Sequence, residues 1–155
     1  MKTKAVIIGF AHMHVNEVAL YISEQPDFEL IGAADVNAGE EKIPPLRYTA
    51  GWNLENVRKN YCANIYDDYK EMLDELKPDC AFIMCENCLK PEIVEECAKR
   101  HINVSIEKPI AVSCDEAKKI QASVEKYGIE AVVNWPVVWR EYIHKMKFAL
   151  DREIV

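Results

Sequence analysis

The chain has 155 residues, of which 50% are apolar and 29% are charged, and its formal net charge at pH 7 is −7. We expect one compact domain that buries roughly 70% of its extended surface, so that the fold needs neither disulfides nor a structural metal. The acidic balance argues against a nucleic-acid partner, because proteins that bind nucleic acids contact the phosphates through clustered lysine and arginine.

The apolar runs have the length of strands rather than of membrane spans. A span needs about 18 apolar residues, and clusters such as Ala5–Ile8 and Ala81–Cys85 are far shorter. The N-terminus resembles a signal peptide only at its start, since His12, His14 and Glu17 interrupt the apolar segment. The sequence therefore predicts a cytoplasmic protein without membrane partners, whose six cysteines are reduced and serve as buried small apolar side chains.

Short apolar runs alternate with longer segments of helical periodicity, which is typical of βαβ units and a parallel sheet. The predicted strands are Ala5–Gly9, Leu30–Asp35, Ala81–Cys85, Ile102–Glu107 and Ala131–Asn134. Four of them are nearly continuous apolar runs, as strands with helices on both faces require. The run Ile102–Glu107 instead alternates between apolar and polar residues, so we expect it to be less fully covered.

The first half of the chain carries two helix signals and one long irregular segment. Val15–Gln25 is predicted as a helix that a following proline ends. Asn37–Asn53 contains a proline pair and no clear period, so it is predicted as a long loop over the sheet edge. A second helix begins at Asp67 or Asp68 and ends before Pro78.

Three further helices are predicted in the second half. Pro91 suits the first turn of one of them. Ser113–Glu116 is a capping box that begins another, and Gly128 supplies the left-handed residue that ends it. Val138–Asp151 has the pattern of a last helix.

Polar or glycine residues follow all five predicted strands. They are Gly9–His14, Asp35, Cys85–Asn87, Glu107–Pro109 and Asn134–Pro136. In an open parallel sheet, ligands bind beyond the carboxyl ends of the strands, so these residues are expected to converge on one binding edge.

The turn after the first strand matches a dinucleotide-binding loop in part. It consists of Gly9, Phe10, Ala11, His12, Met13 and His14. A full match carries three glycines, for the tight turn, the approach of the pyrophosphate and the packing of the helix. Only the first glycine is present. Ala11 is tolerable in the second position, whereas His14 in the third would push the helix away from the strand or turn its imidazole outward.

Asp35 follows Gly9 by 35 − 9 = 26 residues, at the end of the second predicted strand. A carboxylate there accepts hydrogen bonds from the adenosine ribose and repels a 2′-phosphate, which favours NAD over NADP as the cofactor. The alternative is that Asp35 closes a turn, as aspartates often do.

Together these residues resemble the Gfo/Idh/MocA oxidoreductase family, specifically its N-terminal nucleotide-binding domain. The matching segments are Ala5–His14 with Asp35, Pro78–Ile83, Cys85–Asn87, Glu107–Pro109 after a strand, Ala117, and the strand that ends in Asn134. The resemblance covers nearly the whole chain. It implies a doubly wound parallel α/β sheet of Rossmann type in residues 1–137, and a helix in residues 138–155 that leads toward a C-terminal substrate domain.

The resemblance also implies a function, namely NAD(P)-dependent hydride transfer on a sugar, a cyclitol or a related polyol. Lys108 would serve the reacting hydroxyl, and Glu107 would orient the cofactor. Cys85, Glu86 and Asn87 would border the nucleotide, and Asn134 is expected to contact it as well. Lys90 stands where many relatives carry a histidine.

In this family the second domain supplies most substrate contacts and mediates oligomerisation, so we expect the isolated chain to be inactive. One alternative is therefore a module that binds NAD in a sensory or regulatory role without turnover. A receiver-type signalling domain has a similar architecture, but it needs an acidic pair after the first strand, where this chain has Gly9-Phe10.

Three other patterns are weaker. His12 and His14 are spaced like metal ligands, but no third ligand with fitting spacing accompanies them, so the sequence predicts no metal site. The C-x-x-C pattern Cys85–Cys88 lacks a second ligand pair. Trp135 and Trp139 are expected either to wall the nicotinamide or sugar site or to pack against another domain.

Overall fold

The structure, a computed structural model, describes residues 1–36 and 47–152. Its strands are β1 (Thr3–Ile8), β2 (Phe28–Ala34), β3 (Ile65–Tyr66), β4 (Cys80–Ile83), β5 (Asn103–Glu107) and β6 (Ala131–Asn134). They form one six-stranded sheet in the order β3-β2-β1-β4-β5-β6, and every pair is parallel. The order reverses between β1 and β4, and such a switch point opens a crevice beyond the carboxyl ends of the two strands.

Helices pack on both faces of this sheet. The helices are α1 (Val15–Glu24), α2 (Ala50–Asn60), α3 (Tyr69–Leu76), α4 (Lys90–Lys99), α5 (Cys114–Tyr127) and α6 (Glu141–Asp151), of which α6 has no buried residue. Ala19 of α1 and Val57 of α2 share one buried cluster with Ile7 of β1. Residues of α3, α4 and α5 form the other buried cluster, on the opposite face. The doubly wound Rossmann-type fold is therefore confirmed.

All five predicted strands are present, with ends that differ by at most two residues from the prediction. The short strand β3 was missed because Ile65 and Tyr66 are too few to show a period. Val104 and Ile106 of β5 are buried, whereas Ser105 points to the other face and is only half-buried. The prediction that β5 is covered less fully than the other four strands was wrong, because β6 lies at the edge of the sheet with Ala131 and Val132 exposed.

The prediction of a loop over Asn37–Asn53 was wrong at its end, because α2 begins at Ala50. Thr49 caps this helix by accepting a hydrogen bond from the backbone N–H of Trp52 at 3.4 Å. Asn53 is fully buried in the first turn and donates to the carbonyl of Phe10 at 2.9 Å. An inward-facing asparagine conceals the apolar period that identifies a helix. Residues 37–46 lie outside the described part of the chain.

The predicted helix caps are present. Asp68, rather than Asp67, caps α3 through the backbone N–H groups of its first turn. Ser113 Oγ accepts from the N–H of Glu116 at 3.3 Å, and Gly128 ends α5 with φ +67°. The Glu116 carboxylate binds the N–H of Val112 at 3.2 Å, one residue before the position that a capping box gives.

The last predicted helix is shorter than expected. A 3₁₀ turn, Pro136–Trp139, precedes α6, and the extended residue Arg140 separates the two. No helix among the residues that the structure describes is long and apolar enough to cross a bilayer.

All six cysteines lie in the described residues and are free thiols. Cys62, Cys85 and Cys97 are buried, as predicted, and Cys80 is partly buried. The prediction was wrong for Cys88 and Cys114, which are exposed. Each of these two lies within a 3₁₀ turn or the first turn of a helix, on the side that faces solvent.

Gly9 gives the first test of the fold. Its φ is +86°, and a Cβ built there would lie 2.6 Å from the Cα of Cys85, so we expect Gly9→Ala to lower the free energy of unfolding by about 3 kcal/mol. Gly51→Ala is the control, since a Cβ there meets nothing within 4 Å and alanine favours a helix by up to about 1 kcal/mol. Urea unfolding measures both; equal stability of Gly9→Ala and the parent would contradict the close approach of β1 to Cys85.

Candidate functional site

The candidate site lies beyond the carboxyl ends of β1, β4, β5 and β6. His12 and His14 come from the turn between β1 and α1, and Lys90 begins α4 after β4. Glu107 is the last residue of β5, with Lys108 next to it, and Asn134 is the last residue of β6. The structure thus brings together residues that lie far apart in the chain, since His14 and Glu107 are separated by 93 positions and His12 and Lys108 by 96.

The turn after β1 is tied to three neighbouring elements. The N–H of Gly9 donates to the carbonyl of Ala34 at 2.8 Å, and the N–H of His12 donates to the carbonyl of Met84 at 3.3 Å. Phe10 is buried, and its carbonyl accepts from Asn53 of α2. Because these bonds fix the backbone, the turn presents Ala11 and Met13 to solvent while the two histidine rings face the sheet edge.

His14 corrects one expectation from the sequence. Its imidazole is not turned outward. Instead, Nδ1 lies 3.2 Å from Oε1 of Glu107, and the side chain is 25% exposed. The ring also packs edge-on against that of His12, with the centroids 4.4 Å apart. The reason is electrostatic, since a buried carboxylate attracts the nearest hydrogen-bond donor.

Glu107 is the buried carboxylate of the site, with its side chain only 1% exposed. Oε1 contacts His14, and Oε2 accepts from Nδ2 of Asn134 at 3.0 Å. The ammonium of Lys108 lies 3.8 Å from Oε1. Both carboxylate oxygens therefore have partners inside the protein, as a buried charge requires.

Lys108 lies at the mouth of this cluster, with its side chain about one third exposed. Its Nζ is 3.1 Å from Nε2 of His12. Burial lowers the pKa of His12, although the Glu107 carboxylate acts in the opposite direction. His12 is therefore a neutral imidazole near pH 7 with one acceptor nitrogen, which is either Nε2, facing the Lys108 ammonium, or Nδ1, 3.2 Å from the backbone N of His14.

Lys90 is a part of the site whose role the sequence did not reveal. Its side chain is fully buried, and Nζ donates to Oδ1 of Asn87 at 2.8 Å, to the carbonyl of Pro109 at 2.6 Å and to the carbonyl of Glu107. Burial lowers the pKa of this amine. An ammonium group has three N–H donors, and here each has an acceptor, so Lys90 fixes the backbone on both sides of Lys108.

The remaining predicted residues border the same edge. Ala11, His12, Cys85, Glu86 and Asn87 share a depression of about 350 Å³. Burial raises the pKa of Cys85 to about 12, so this thiol keeps its proton near pH 7, and Cys88 is exposed without a disulfide. A protonated, buried thiol is a poor nucleophile and a poor metal ligand, so the structure adds no support for a redox or metal role of the C-x-x-C pattern.

Asp35 lies apart from the histidine cluster. It follows β2, on the other side of Gly9, and its N–H donates to the carbonyl of Tyr66 at 3.4 Å. Gly9 and Asp35 thus lie on the β2 side of the crevice, and Glu107 and Lys108 lie on the β5 side. Only a glycine fits at position 9, because its φ is +86° and a Cβ there would meet the backbone of Cys85. This glycine keeps the turn tight before the N-terminus of α1, where a pyrophosphate would bind, and an extended dinucleotide across the crevice would have its adenosine near Asp35.

A cleft of about 690 Å³ opens beside this edge, between α1 and the uncovered face of β4 and β5. His14 and Asn134 are among its polar lining residues, and Tyr21, Phe82 and Trp139 are among its apolar ones. Trp139 is 59% exposed and Trp135 is 47% exposed. The cleft therefore joins the polar cluster to a wide apolar surface on which a ligand could rest.

Comparison with known proteins agrees with this geometry. Residues 3–135 match the family model GFO_IDH_MocA, described as an oxidoreductase family with an NAD-binding Rossmann fold. The chain is also 26% identical over 116 residues to the uncharacterized oxidoreductase YrbE of Bacillus subtilis, a match that covers 71% of this chain and 34% of that protein.

Solved structures show the same fold. The chain is similar to a myo-inositol 2-dehydrogenase from Lactobacillus plantarum, with a TM-score of 0.77, 17% identity, and coverage of 98% of this chain and 42% of that one. For an oxidoreductase from Agrobacterium radiobacter in complex with NAD+, L-tartaric acid and magnesium, the TM-score is 0.78 and the identity 18%, with coverage of 98% of this chain and 41% of that one. For a 3-ketoreductase from Actinomadura kijaniata in complex with NADP, the TM-score is 0.77 and the identity 14%, with coverage of 100% of this chain and 44% of that one. The chain thus spans less than half the length of these proteins.

Lys90 provides a test of the site's construction. We expect Lys90→Met to lower the free energy of unfolding by about 2–4 kcal/mol, because it leaves buried acceptors of Asn87, Glu107 and Pro109 without a donor. The control is Lys99→Met, whose exposed ammonium pairs only with surface glutamates, so a change of less than about 1 kcal/mol is expected. Equal denaturant midpoints for the two variants would show that Lys90 does not hold this segment.

Proposed function

We propose that this chain, which belongs to the Gfo/Idh/MocA oxidoreductase family, binds NAD as the nucleotide-binding domain of a dehydrogenase. The dehydrogenase transfers hydride between NAD and a hydroxyl-bearing carbon of a sugar, a cyclitol or a related polyol. One observation carries the proposal. Lys108 Nζ, held 3.1 Å from Nε2 of His12 and 3.8 Å from the buried Glu107 carboxylate, lies at the edge of the sheet where a cofactor and a substrate would meet.

The nucleotide would lie across the switch point between β1 and β4. The turn of residues 9–14 would hold the pyrophosphate at the N-terminus of α1, with Gly9 allowing the turn to pass close to Cys85. Asp35 would bind the adenosine ribose and select NAD over NADP, and Cys85, Glu86 and Asn87 would border the nucleotide. When bound, the nicotinamide would supply the hydride acceptor or donor.

Lys108 would act on the reacting oxygen. An ammonium group stabilises the negative charge that develops on a hydroxyl oxygen as its carbon loses hydride. The Glu107 carboxylate and the neutral His12 hold this ammonium in place, and Lys90 fixes the backbone on either side of it. Asn134 orients Glu107 through the bond to Oε2.

Residues 138–155 would lead toward a further domain that completes the substrate site. The large apolar side chains exposed in this region, Val138, Trp139, Tyr142, Met146, Phe148 and Leu150, support such a contact. We expect the isolated 155-residue chain to bind the nucleotide without turnover, since the facing wall of the substrate site would come from that domain.

The cofactor assignment is tested by calorimetric titration of the chain with NAD+, NADH and NADPH. We expect micromolar to submillimolar binding of NAD+ and NADH and weaker binding of NADPH. Asp35→Ala should weaken NAD+ binding about tenfold, or about 1.4 kcal/mol. It should therefore also reduce the difference in affinity between NAD+ and NADPH. Asp27→Ala, an exposed carboxylate at the opposite edge of the sheet, should have no effect. Unchanged NAD+ affinity in Asp35→Ala would disprove the ribose contact, and no binding at about 1 mM nucleotide would disprove the site.

The role of Lys108 is tested by turnover of the whole protein on a panel of sugars and cyclitols. Lys108→Met should lower kcat by about 100-fold or more while NAD+ affinity stays within about threefold of the parent. Lys118→Met, an exposed lysine of α5 outside both the site and residues 138–155, is the control and should leave both quantities unchanged. Full turnover in Lys108→Met would contradict the catalytic assignment. Nucleotide binding without turnover on any substrate would favour the sensory or regulatory module instead.

A further inference from the structure

We propose that His12, His14 and Glu107 form a binding site for a divalent transition-metal ion such as Zn²⁺ or Fe²⁺. One ligand atom of each residue lies within 4.8 Å of the other two. Two imidazoles and one carboxylate, with coordination positions left open, are a donor set that both of these ions use in proteins. This metal site does not depend on the proposed function, because its ligands stand together whether or not the chain binds a nucleotide.

The distances among the ligands suit a metal after small side-chain rotations. Metal–nitrogen and metal–oxygen bonds of about 2.0–2.2 Å separate neighbouring ligand atoms by roughly 3 Å. Nδ1 of His14 is 3.2 Å from Oε1 of Glu107, which already meets this condition. His12 packs against the His14 ring, with centroids 4.4 Å apart, so a rotation about its side-chain bonds can complete the set.

The surrounding residues hold the carboxylate ready for an ion. Asn134 donates to Oε2 of Glu107 at 3.0 Å and so leaves Oε1 directed at the histidines. Lys90 donates to the Glu107 carbonyl and fixes the backbone behind it. Metal sites use such outer partners to orient their ligands. His12 is anchored as well, through its backbone bond to Met84 at 3.3 Å.

A positive charge already lies among these ligands. The ammonium of Lys108 is 3.1 Å from Nε2 of His12 and 3.8 Å from Oε1 of Glu107. The cluster is therefore built to stabilise a cation. Because the Lys108 side chain is long and about one third exposed, a divalent ion can displace it toward solvent. A metal ion and Lys108 thus compete for the same position.

An ion held here would be accessible to ligands. His14 and Asn134 line the 690 Å³ cleft, and His12 borders the smaller depression with Asn87. The open coordination positions would face these spaces, where water or a substrate oxygen could bind. The ion would then act as a Lewis acid on that oxygen.

Titration of the 155-residue chain with Co²⁺, followed by visible absorption and by calorimetry, tests the site. All variants carry serine in place of the exposed Cys88 and Cys114, so that surface thiolates do not bind the probe. We expect one Co²⁺ per chain. Glu107→Gln and His14→Ala should each weaken the affinity about 100-fold or more, and Asn134→Ala about tenfold. His101→Ala and His144→Ala remove exposed histidines outside the site and should change nothing.

The Lys108→Met variant separates this site from chance binding at surface histidines. Removing the competing ammonium should tighten Co²⁺ binding about tenfold, whereas a surface site would not respond. No Co²⁺ binding at about 1 mM, or equal affinity in the parent, Glu107→Gln and His14→Ala, would overturn the proposal. Thermal melts by circular dichroism establish that each variant is folded. Because His14 is partly exposed, His14→Ala removes a metal ligand without disturbing the core. The nucleotide titrations use no metal, so failure of either proposal leaves the other to be judged by its own measurement.

Discussion

The burial of one carboxylate organises the binding edge of this domain. Glu107 is 1% exposed at the end of β5, and a charge in such a position is stable only when surrounding groups replace the water that it has lost. His14 and Asn134 contact its two oxygens, and Lys108 brings an ammonium close to one of them. These partners come from different elements of the chain. Their contacts with the one buried carboxylate therefore fix the turn after β1 and the ends of β5 and β6 relative to one another.

Lys90 is a second buried charge that needs compensating partners. A fully buried ammonium loses its hydration, and three oxygens supplied by Asn87, Glu107 and Pro109 compensate for that loss. The two buried charges have opposite signs, and both hold residues 107–109 in place. Glu107 does so through the partners of its side chain, and Lys90 does so through hydrogen bonds to the backbone. Lys108 lies between them and is the residue of this segment whose charged group reaches solvent. Its position is thus set by neighbours rather than by its own contacts alone.

Local patterns were enough to predict five of the six strands, because each of these except β5 is an apolar run between turn residues, and β5 alternates apolar and polar residues. They also placed Gly9, Asp35, Lys108 and Asn134 at strand ends, since parallel strands share one carboxyl edge. The contact of His14 with Glu107 joins residues 93 positions apart, which no local pattern can indicate. Helix α2 was missed for a related reason, as Asn53 is buried by a partner in a distant turn. Side-chain pairing across the edge depends on tertiary structure and could not be predicted from spacing.

The strand order also bears on how the chain folds as it is synthesised. β1 is the first strand made, yet it occupies the interior of the sheet and pairs with β4, in a register that joins Ala5 to Cys80. Closing a loop of that length loses more entropy than a local hairpin does, so the pairing of β1 with β4 follows the local βαβ units. The last strand, β6, contributes Asn134 to the carboxylate of Glu107. The binding edge is therefore completed only after nearly the whole domain has left the ribosome, and no fragment that ends before β6 can contain it.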